Sequence, residues 1–159
     1  MEKQIEMINL NVLSLTYLTK FFLKGMVARG SGHICNLAST ASFQPGPMMA
    51  VYYATKAYVL YFSEALAEEL IGTGVTVTAL CPGGTESNFQ STANLQNSKL
   101  VQGQKRPSAR EVAEYGYMAT MQGKMVAIHG VQNWILAQLH RFLPRAWVLK
   151  IVHSMSKTV

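Results

Sequence analysis

Apolar and polar positions along the chain fall into blocks that predict helices and strands in turn. From residue 5 to 28 apolar residues recur close to every 3.6 positions, which predicts one helix, and the run Gly30-Ser31-Gly32 ends it. Residues 33–38 form a short apolar run typical of a buried parallel strand. A second long helix is predicted over 49–71, and a second strand, rich in β-branched residues, over 75–81.

The remainder of the chain continues this order and then becomes helical. Residues 90–106 are rich in Gln, Asn and Ser and predict a loop. A Ser-x-x-Glu capping box at Ser108 opens a third helix, and residues 125–129 predict a third strand. The segment 131–159 is expected to be an amphipathic helical extension, broken at Pro144.

The resulting order, α-β-α-β-α-β-α, predicts an α/β fold. Strands that alternate with helices imply right-handed crossovers and a parallel sheet covered on both faces. The 159 residues are enough for one hydrophobic core, so a single partial domain with about three strands is expected over 1–159. A sheet of this size suggests that further strands belong before residue 1.

Composition and charge narrow the class of protein. Hydrophobic residues make up 49% of the chain and charged residues 14%, which argues against disorder. The net charge is +6, but the sequence has no Lys/Arg run and no interleaving of aromatic and basic residues of the kind found on nucleic-acid-binding surfaces. No nucleic-acid partner is therefore expected. Cys35 and Cys81 show no metal-binding spacing, and no metal site is predicted. Both are expected to be buried free thiols, and the N-terminus does not resemble a signal peptide, which together favour a cytoplasmic location.

The apolar C-terminal segment allows more than one interpretation. His140, Arg141, Pro144, Arg145 and Lys150 interrupt it, so a bilayer span is not expected. Packing over the sheet or against a partner subunit is the favoured alternative. A peripheral contact of this helix with a membrane surface stays open.

Two side chains on the second predicted helix are candidates for acid–base chemistry. Tyr52 and Lys56 are four residues apart and therefore share one helix face. A phenol with a pKa near 10 is a poor acid or base at neutral pH, but a neighbouring ammonium or another positive charge would lower that pKa. Taken alone, such a pair is commonly only a solvated helix contact.

Both strand ends that precede polar turns carry groups suited to a ligand. Ser39 follows the first strand, and its hydroxyl could donate to a substrate carbonyl, although an isolated loop serine more often bonds the local backbone. Pro82 and Gly83 follow the second strand, where Thr85 and Ser87 could bond an amide or phosphate; an ordinary turn is the alternative. Open α/β sheets bind ligands at the carboxyl ends of their parallel strands, which is where both groups of residues fall. A shared binding site therefore explains the two groups better than chance does.

These residues resemble one known family. Asn11-Val12-Leu13, the run from Gly30 to Ser39, Tyr52-Tyr53-Ala54-Thr55-Lys56 and Pro82-Gly83 are similar to the middle of a short-chain dehydrogenase/reductase. The resemblance covers about residues 9–129. The ending is also similar, over a shorter stretch, to DltE-like reductases and 3-oxoacyl-CoA reductases. The resemblance implies the C-terminal part of a Rossmann-like, doubly wound parallel sheet whose N-terminal βαβ half and glycine-rich phosphate turn are absent from this sequence.

The resemblance also implies catalytic roles. Tyr52 would be the general acid in carbonyl reduction or the base in alcohol oxidation. Lys56 would lower the pKa of Tyr52 and bind the nicotinamide ribose, and Ser39 would orient the carbonyl. Asn11 matches the family asparagine that supports a water-linked proton relay to the lysine.

Cofactor and partners follow from the same resemblance. The cofactor would be NADP or NAD, with Pro82, Gly83 and Thr85 beside the nicotinamide and Ser87 where a threonine is usual. A small hydrophobic carbonyl or alcohol is the expected substrate, and a homo-oligomer would form through the helices around Asn11 and Tyr52. The alternative is a catalytically inactive dimerisation or interaction module.

Overall fold

The structure, a computed structural model, describes residues 1–86 and 106–156. It confirms the α/β class. Three parallel strands lie in the order β1 (Gly32–Leu37), β2 (Val75–Cys81) and β3 (Val126–Ile128), so β2 is central among the described strands. The third strand is shorter than the five residues expected from the sequence.

The N-terminal helix is longer than its periodicity predicts and contains a local irregularity. Helix α1 (Glu2–Ile8) leads into a π-helical segment, Asn9–Ser14, and then into α2 (Leu15–Ala28). The expected helix from residue 5 to 28 is therefore present, but it starts three residues earlier and carries the π turn. Segments of this kind are frequently found at functional sites, and this one contains Asn11.

The other helices match their predicted positions. Helix α3 (Ala50–Glu69) connects β1 to β2, and α4 (Ala109–Met121) precedes β3. The capping box is present, because the hydroxyl of Ser108 accepts from the backbone N–H of Glu111 at 3.2 Å and the Glu111 carboxylate accepts from the Ser108 N–H at 2.7 Å.

The C-terminal segment is two helices rather than one. Helix α5 (Val131–Leu139) continues into a 3₁₀ turn, His140–Phe142, and α6 (Arg145–Ser156) follows Pro144. The predicted break at Pro144 is confirmed. Every helix within residues 1–86 and 106–156 is too short or too polar to span a bilayer.

The core forms on both faces of β2. Ala79 and Cys81 pack with Val59 and Leu60 of α3 on one face, while Leu80 packs with the buried face of α4 on the other. Alternate residues of a strand point to opposite faces, so covering both faces buries nearly every residue of β2.

The edge strand β1 is covered less completely. Ile34 and Asn36 are buried, whereas His33, Cys35 and Leu37 alternate with them and are exposed. The expectation that both cysteines are buried is therefore wrong for Cys35, because its side chain lies on the exposed face of β1. Cys81 on β2 is buried as expected.

Two sequence-based expectations are not addressed by the described residues. The loop over 90–106 lies outside them apart from its last residue, and so does Ser87. The division of the chain into one partial domain with a helical extension stays a prediction.

Candidate active site

The first element of the site is the turn that follows β1. Ser39 has an extended backbone (φ −169°, ψ 161°) and caps the 3₁₀ turn Thr40–Phe43. Its hydroxyl accepts a hydrogen bond from the backbone N–H of Ala41 at 3.1 Å, the local bond expected of a loop serine. The Ser39 residue is buried, so its hydroxyl is fixed in place next to the strand end.

Helix α3 brings Tyr52 to this serine. Ser39 and Tyr52, two candidates that are thirteen residues apart in the sequence, lie close enough for the Ser39 side chain to affect the pKa of the Tyr52 phenol. Burial raises the pKa of Tyr52 above its ordinary value, and the Ser39 side chain lowers it by a smaller amount. The lowering expected from the sequence requires a nicotinamide ring as well as an ammonium and stays a prediction; in the chain by itself desolvation is the larger effect and the direction is upward.

One turn later on α3, Lys56 also points to the end of β1. Its ammonium donates to the carbonyl oxygen of Leu37 at 2.7 Å. Burial lowers the pKa of Lys56, while the neighbouring Cys81 thiol raises it by a smaller amount. The lysine is thus a buried cation anchored to the strand that carries Ser39.

A second serine, Ser42, joins the turn to the helix and was not singled out from the sequence. Its hydroxyl donates to the carbonyl oxygen of Lys56 at 2.7 Å and accepts from the backbone N–H of Ser39 at 3.3 Å. The signal available in the sequence was its position three residues after Ser39, which is the spacing of a capping box. Ser42 fixes the Ser39 backbone relative to the helix turn that bears Lys56.

Asn11 approaches the same helix from the π-helical segment. Its side-chain amide donates to the Thr55 hydroxyl at 3.1 Å, and that hydroxyl donates to the carbonyl oxygen of Tyr52 at 2.9 Å. Asn11 is therefore connected to the backbone between Tyr52 and Lys56. The hydrogen bond described for its side chain is with Thr55 rather than with Lys56.

The turn after β2 lies alongside the turn after β1. The backbone N–H of Thr40 donates to the carbonyl oxygen of Pro82 at 2.9 Å, which ties the two strand ends together. The Thr85 hydroxyl donates to the carbonyl oxygen of Gly83 at 3.2 Å and stabilises the second turn. The structure therefore brings Pro82, Gly83 and Thr85 to the edge of the sheet that holds Ser39.

Gly83 is required by its neighbour on α5. A Cβ atom at this position would lie 2.5 Å from the amide nitrogen of Asn133. That nitrogen donates to the carbonyl oxygen of His129 at 2.7 Å, so the Asn133 side chain is held at the start of α5. Asn133 is a second contact of the site that sequence reasoning missed, because nothing local relates it to the Pro-Gly turn.

The donor set fits the nicotinamide–ribose end of a dinucleotide. Two hydroxyls and an ammonium, from Ser39, Tyr52 and Lys56, lie at the carboxyl end of a parallel strand, where open α/β sheets bind ligands. Lys56 and Tyr52 can hydrogen-bond ribose hydroxyls, and the Gly83 turn presents backbone next to them. Within the described ranges no three His, Cys, Asp or Glu side chains form a group that could hold a metal ion.

Comparison with known proteins shows which family this chain resembles. Residues 1–98 match the short chain dehydrogenase family. The very-long-chain 3-oxoacyl-CoA reductase of Mus musculus is 31% identical over 155 residues, which is 97% of this chain and 47% of that protein. The ketoacyl reductase HetN of a Nostoc strain is 41% identical over 75 residues, or 47% of this chain and 26% of that protein.

Solved structures show the same fold. A short-chain dehydrogenase from Sphingobium yanoikuyae in complex with NADPH superposes with a TM-score of 0.70 at 28% identity, covering 85% of this chain and 53% of that one. A 7β-hydroxysteroid dehydrogenase superposes with a TM-score of 0.75 at 23% identity, over 92% and 56% of the two chains, which shows the fold alone. The chain thus spans about half the length of the relatives it matches. Its sequence and fold place it in the short-chain dehydrogenase family.

Proposed function

We propose that this chain provides the reacting end of an NAD(P)-dependent oxidoreductase that interconverts a carbonyl and an alcohol. The observation that carries the proposal is that the side chains of Ser39 and Tyr52 are close neighbours at the strand end to which the buried ammonium of Lys56 is bonded. A proton donor and a second hydroxyl that lie this close can both reach one carbonyl oxygen. The family membership supports the same chemistry.

The proposed mechanism uses each side chain in a separate role. The cofactor, when bound, supplies the hydride. Ser39 holds the carbonyl oxygen of the substrate by a hydrogen bond and stabilises the charge that develops on it. Tyr52 donates its proton to that oxygen, and its raised pKa keeps the phenol protonated at neutral pH. The positive charge of Lys56 stabilises the phenolate that remains, and Asn11 steadies the intervening helix turn through Thr55.

The substrate is proposed to be a hydrophobic carbonyl compound. Tyr52 packs against an apolar cluster that contains Ala41, Tyr53, Val148 and Val152. The apolar surroundings of Tyr52 favour an apolar substrate over a charged one. The name of the mouse relative, a reductase of very-long-chain 3-oxoacyl-CoA, supports this substrate class.

The proposal is tested by cofactor titration followed by turnover. The purified chain is titrated with NADPH and NADH, following nicotinamide fluorescence, both alone and joined to the cofactor-binding half of a related dehydrogenase. The joined protein is then assayed with a hydrophobic ketone. We expect Tyr52→Phe to abolish reduction while leaving cofactor binding in place.

The neighbouring tyrosine provides a matched control. Tyr53 is buried, lies edge-on to Tyr52 with ring centroids 6.0 Å apart, and has no role in the proposed chemistry. Tyr53→Phe removes the same hydroxyl one residue away and is expected to keep most of the activity. Reduction that survives in Tyr52→Phe would exclude the proposed role.

A homo-oligomer is proposed as the partner. Leu10, Leu13, Tyr17 and Phe21 leave large apolar surfaces exposed at helical spacing along the π-helical segment and α2. Sedimentation of the purified chain measures this directly, and a folded monomer would contradict it. Association without any turnover in the joined protein would favour the alternative of an interaction module.

A further inference from the structure

Charge is distributed very unevenly along this chain. All eight acidic residues lie at or before Glu114. Five of the fourteen basic residues follow it, Lys124, Arg141, Arg145, Lys150 and Lys157. The C-terminal part of the chain therefore carries positive charge with no acidic residue of its own.

The same part of the chain exposes large apolar side chains. We call α5, the 3₁₀ turn and α6 the C-terminal helical pair. It buries only a narrow stripe, Ala137 on α5 with Val148 and Val152 on α6. Outside that stripe, Trp134 is 55% exposed, Phe142 81% and Trp147 62%. These two tryptophans are the only ones in the chain.

Apolar and basic groups are adjacent on α6. Trp147 and Ile151 are one helical turn apart and share a face. Lys150 lies between them in sequence and points away from the buried stripe of Val148 and Val152. An arc of Trp, Ile and Lys opposite a packed stripe is typical of a helix that lies in the plane of a membrane surface.

We propose that the C-terminal helical pair binds the surface of an anionic phospholipid membrane. Exposed tryptophans are suited to the headgroup region, because the ring is apolar and its N–H needs a polar partner. Lys150 is exposed on the arc that holds Trp147 and can meet lipid phosphates, and Arg145, the first residue of α6, is exposed as well. None of the described helices could cross the bilayer, so the contact is peripheral.

Charge complementarity decides between a membrane and a second copy of the chain. A two-fold contact through this surface would place the same basic groups against each other. Anionic headgroups neutralise them instead. Arg141 is already near an acidic side chain, Glu64, whose pKa it lowers against the larger upward effect of burial. Arg145 and Lys150 are therefore the charges to test.

Tryptophan fluorescence provides a direct assay, because each helix of the C-terminal helical pair carries one exposed tryptophan. The full chain is mixed with vesicles of equimolar phosphatidylglycerol and phosphatidylcholine, or of phosphatidylcholine alone, at low and high salt. We expect co-sedimentation and a blue shift of the emission with the anionic vesicles, and both should weaken with salt. Brominated phosphatidylglycerol should quench the emission.

Two double variants separate this surface from general electrostatic attraction. Arg145→Gln with Lys150→Gln is expected to weaken binding at least about tenfold. Lys20→Gln with Lys24→Gln removes the same charge from exposed positions on α2 and should change binding less than about threefold. Trp147→Ser, which leaves the charges in place, should also weaken binding. Circular dichroism checks that each variant is folded.

Several outcomes would overturn the proposal. The folded chain would fail to bind anionic vesicles, or both double variants would lose vesicle binding equally, or the chain would bind vesicles without a blue shift of its tryptophan emission. A blue shift that grows with protein concentration in the absence of lipid would show that a second copy covers the surface. An equal shift on addition of poly-glutamate would assign the surface to an acidic protein partner.

Discussion

Replacing Ser42 with alanine tests whether one buried hydroxyl holds the catalytic turn against α3. The Ser42 hydroxyl bridges the carbonyl oxygen of Lys56 at 2.7 Å and the backbone N–H of Ser39 at 3.3 Å, and the residue is 3% exposed. Ser42→Ala removes both hydrogen bonds. The substitution also removes the acceptor of the buried Ser39 backbone N–H.

The magnitude follows from these two bonds. Each intramolecular hydrogen bond contributes about 0.5–1.5 kcal/mol, so the pair contributes about 2 kcal/mol to the free energy of unfolding. With a urea m-value of about 2 kcal/mol/M, the unfolding midpoint should fall by about 1 M. Because Ser39 and Lys56 lose their common anchor, binding of NADPH by the joined protein should weaken at least about tenfold.

A matched serine on α3 separates stability from function. Ser63 is fully buried, its hydroxyl donates to the carbonyl oxygen of Val59 at 2.7 Å, and it accepts from the Asn36 amide at 3.0 Å. Ser63→Ala should lower the unfolding free energy by a similar amount, about 2 kcal/mol, without changing NADPH binding.

Urea unfolding followed by circular dichroism measures the first effect, and nicotinamide fluorescence measures the second. An unfolding free energy of Ser42→Ala within about 0.5 kcal/mol of the parent would refute the assigned hydrogen bonds. Equal weakening of NADPH binding in both serine variants would refute the positioning role, because general destabilisation would then explain it.

Three further predictions concern stability, each measured by urea unfolding. Burial raises the pKa of the Cys81 thiol from 9.0 to about 12. The stability that the protonated thiol contributes is therefore complete below pH 9 and is lost as the pH rises toward 12. Between pH 8 and pH 10 the unfolding free energy of the parent should fall by about 1.4 kcal/mol more than that of Cys81→Ala, and parallel pH profiles would contradict this. Leu60→Ala should cost about 2–5 kcal/mol, because Leu60 is 1% exposed in the core beside β2, and a loss below about 1 kcal/mol would show that the core closes around the gap. Gly72 and Gly74 both have positive φ, but a Cβ at Gly74 would overlap the Gly30 carbonyl oxygen, whereas a Cβ at Gly72 would meet no atom. Gly72→Ala should therefore cost about 1 kcal/mol and Gly74→Ala clearly more, and equal losses would exclude the clash.

The order of elements was predictable from the sequence because local signals determine it. Apolar periodicity indicated the helices and strands, the Ser108 capping box indicated the start of α4, and Pro144 indicated the break before α6. The family motif also brought Ser39, Tyr52 and Lys56 to attention together. Their catalytic roles remain predictions.

The environment of each candidate was decided by tertiary structure. Cys35 and Cys81 lie in similar apolar runs, yet one is exposed and the other buried, because Cys35 lies on the uncovered face of β1 whereas helices pack against both faces of β2. The pKa of Tyr52 moves upward because packing removes water from the phenol, an effect that sequence spacing does not encode.

The sequence by itself determined the helices, the strands and the residues able to carry chemistry, since periodicity, caps and motif spacing are properties of neighbouring residues. Only the tertiary structure decided which distant groups meet. Ser42 reaches the helix turn of Lys56, Asn133 lies against Gly83, and the apolar face of the C-terminal helical pair remains uncovered. Such contacts depend on how elements pack, and packing is set by burial over the whole molecule rather than by any local pattern.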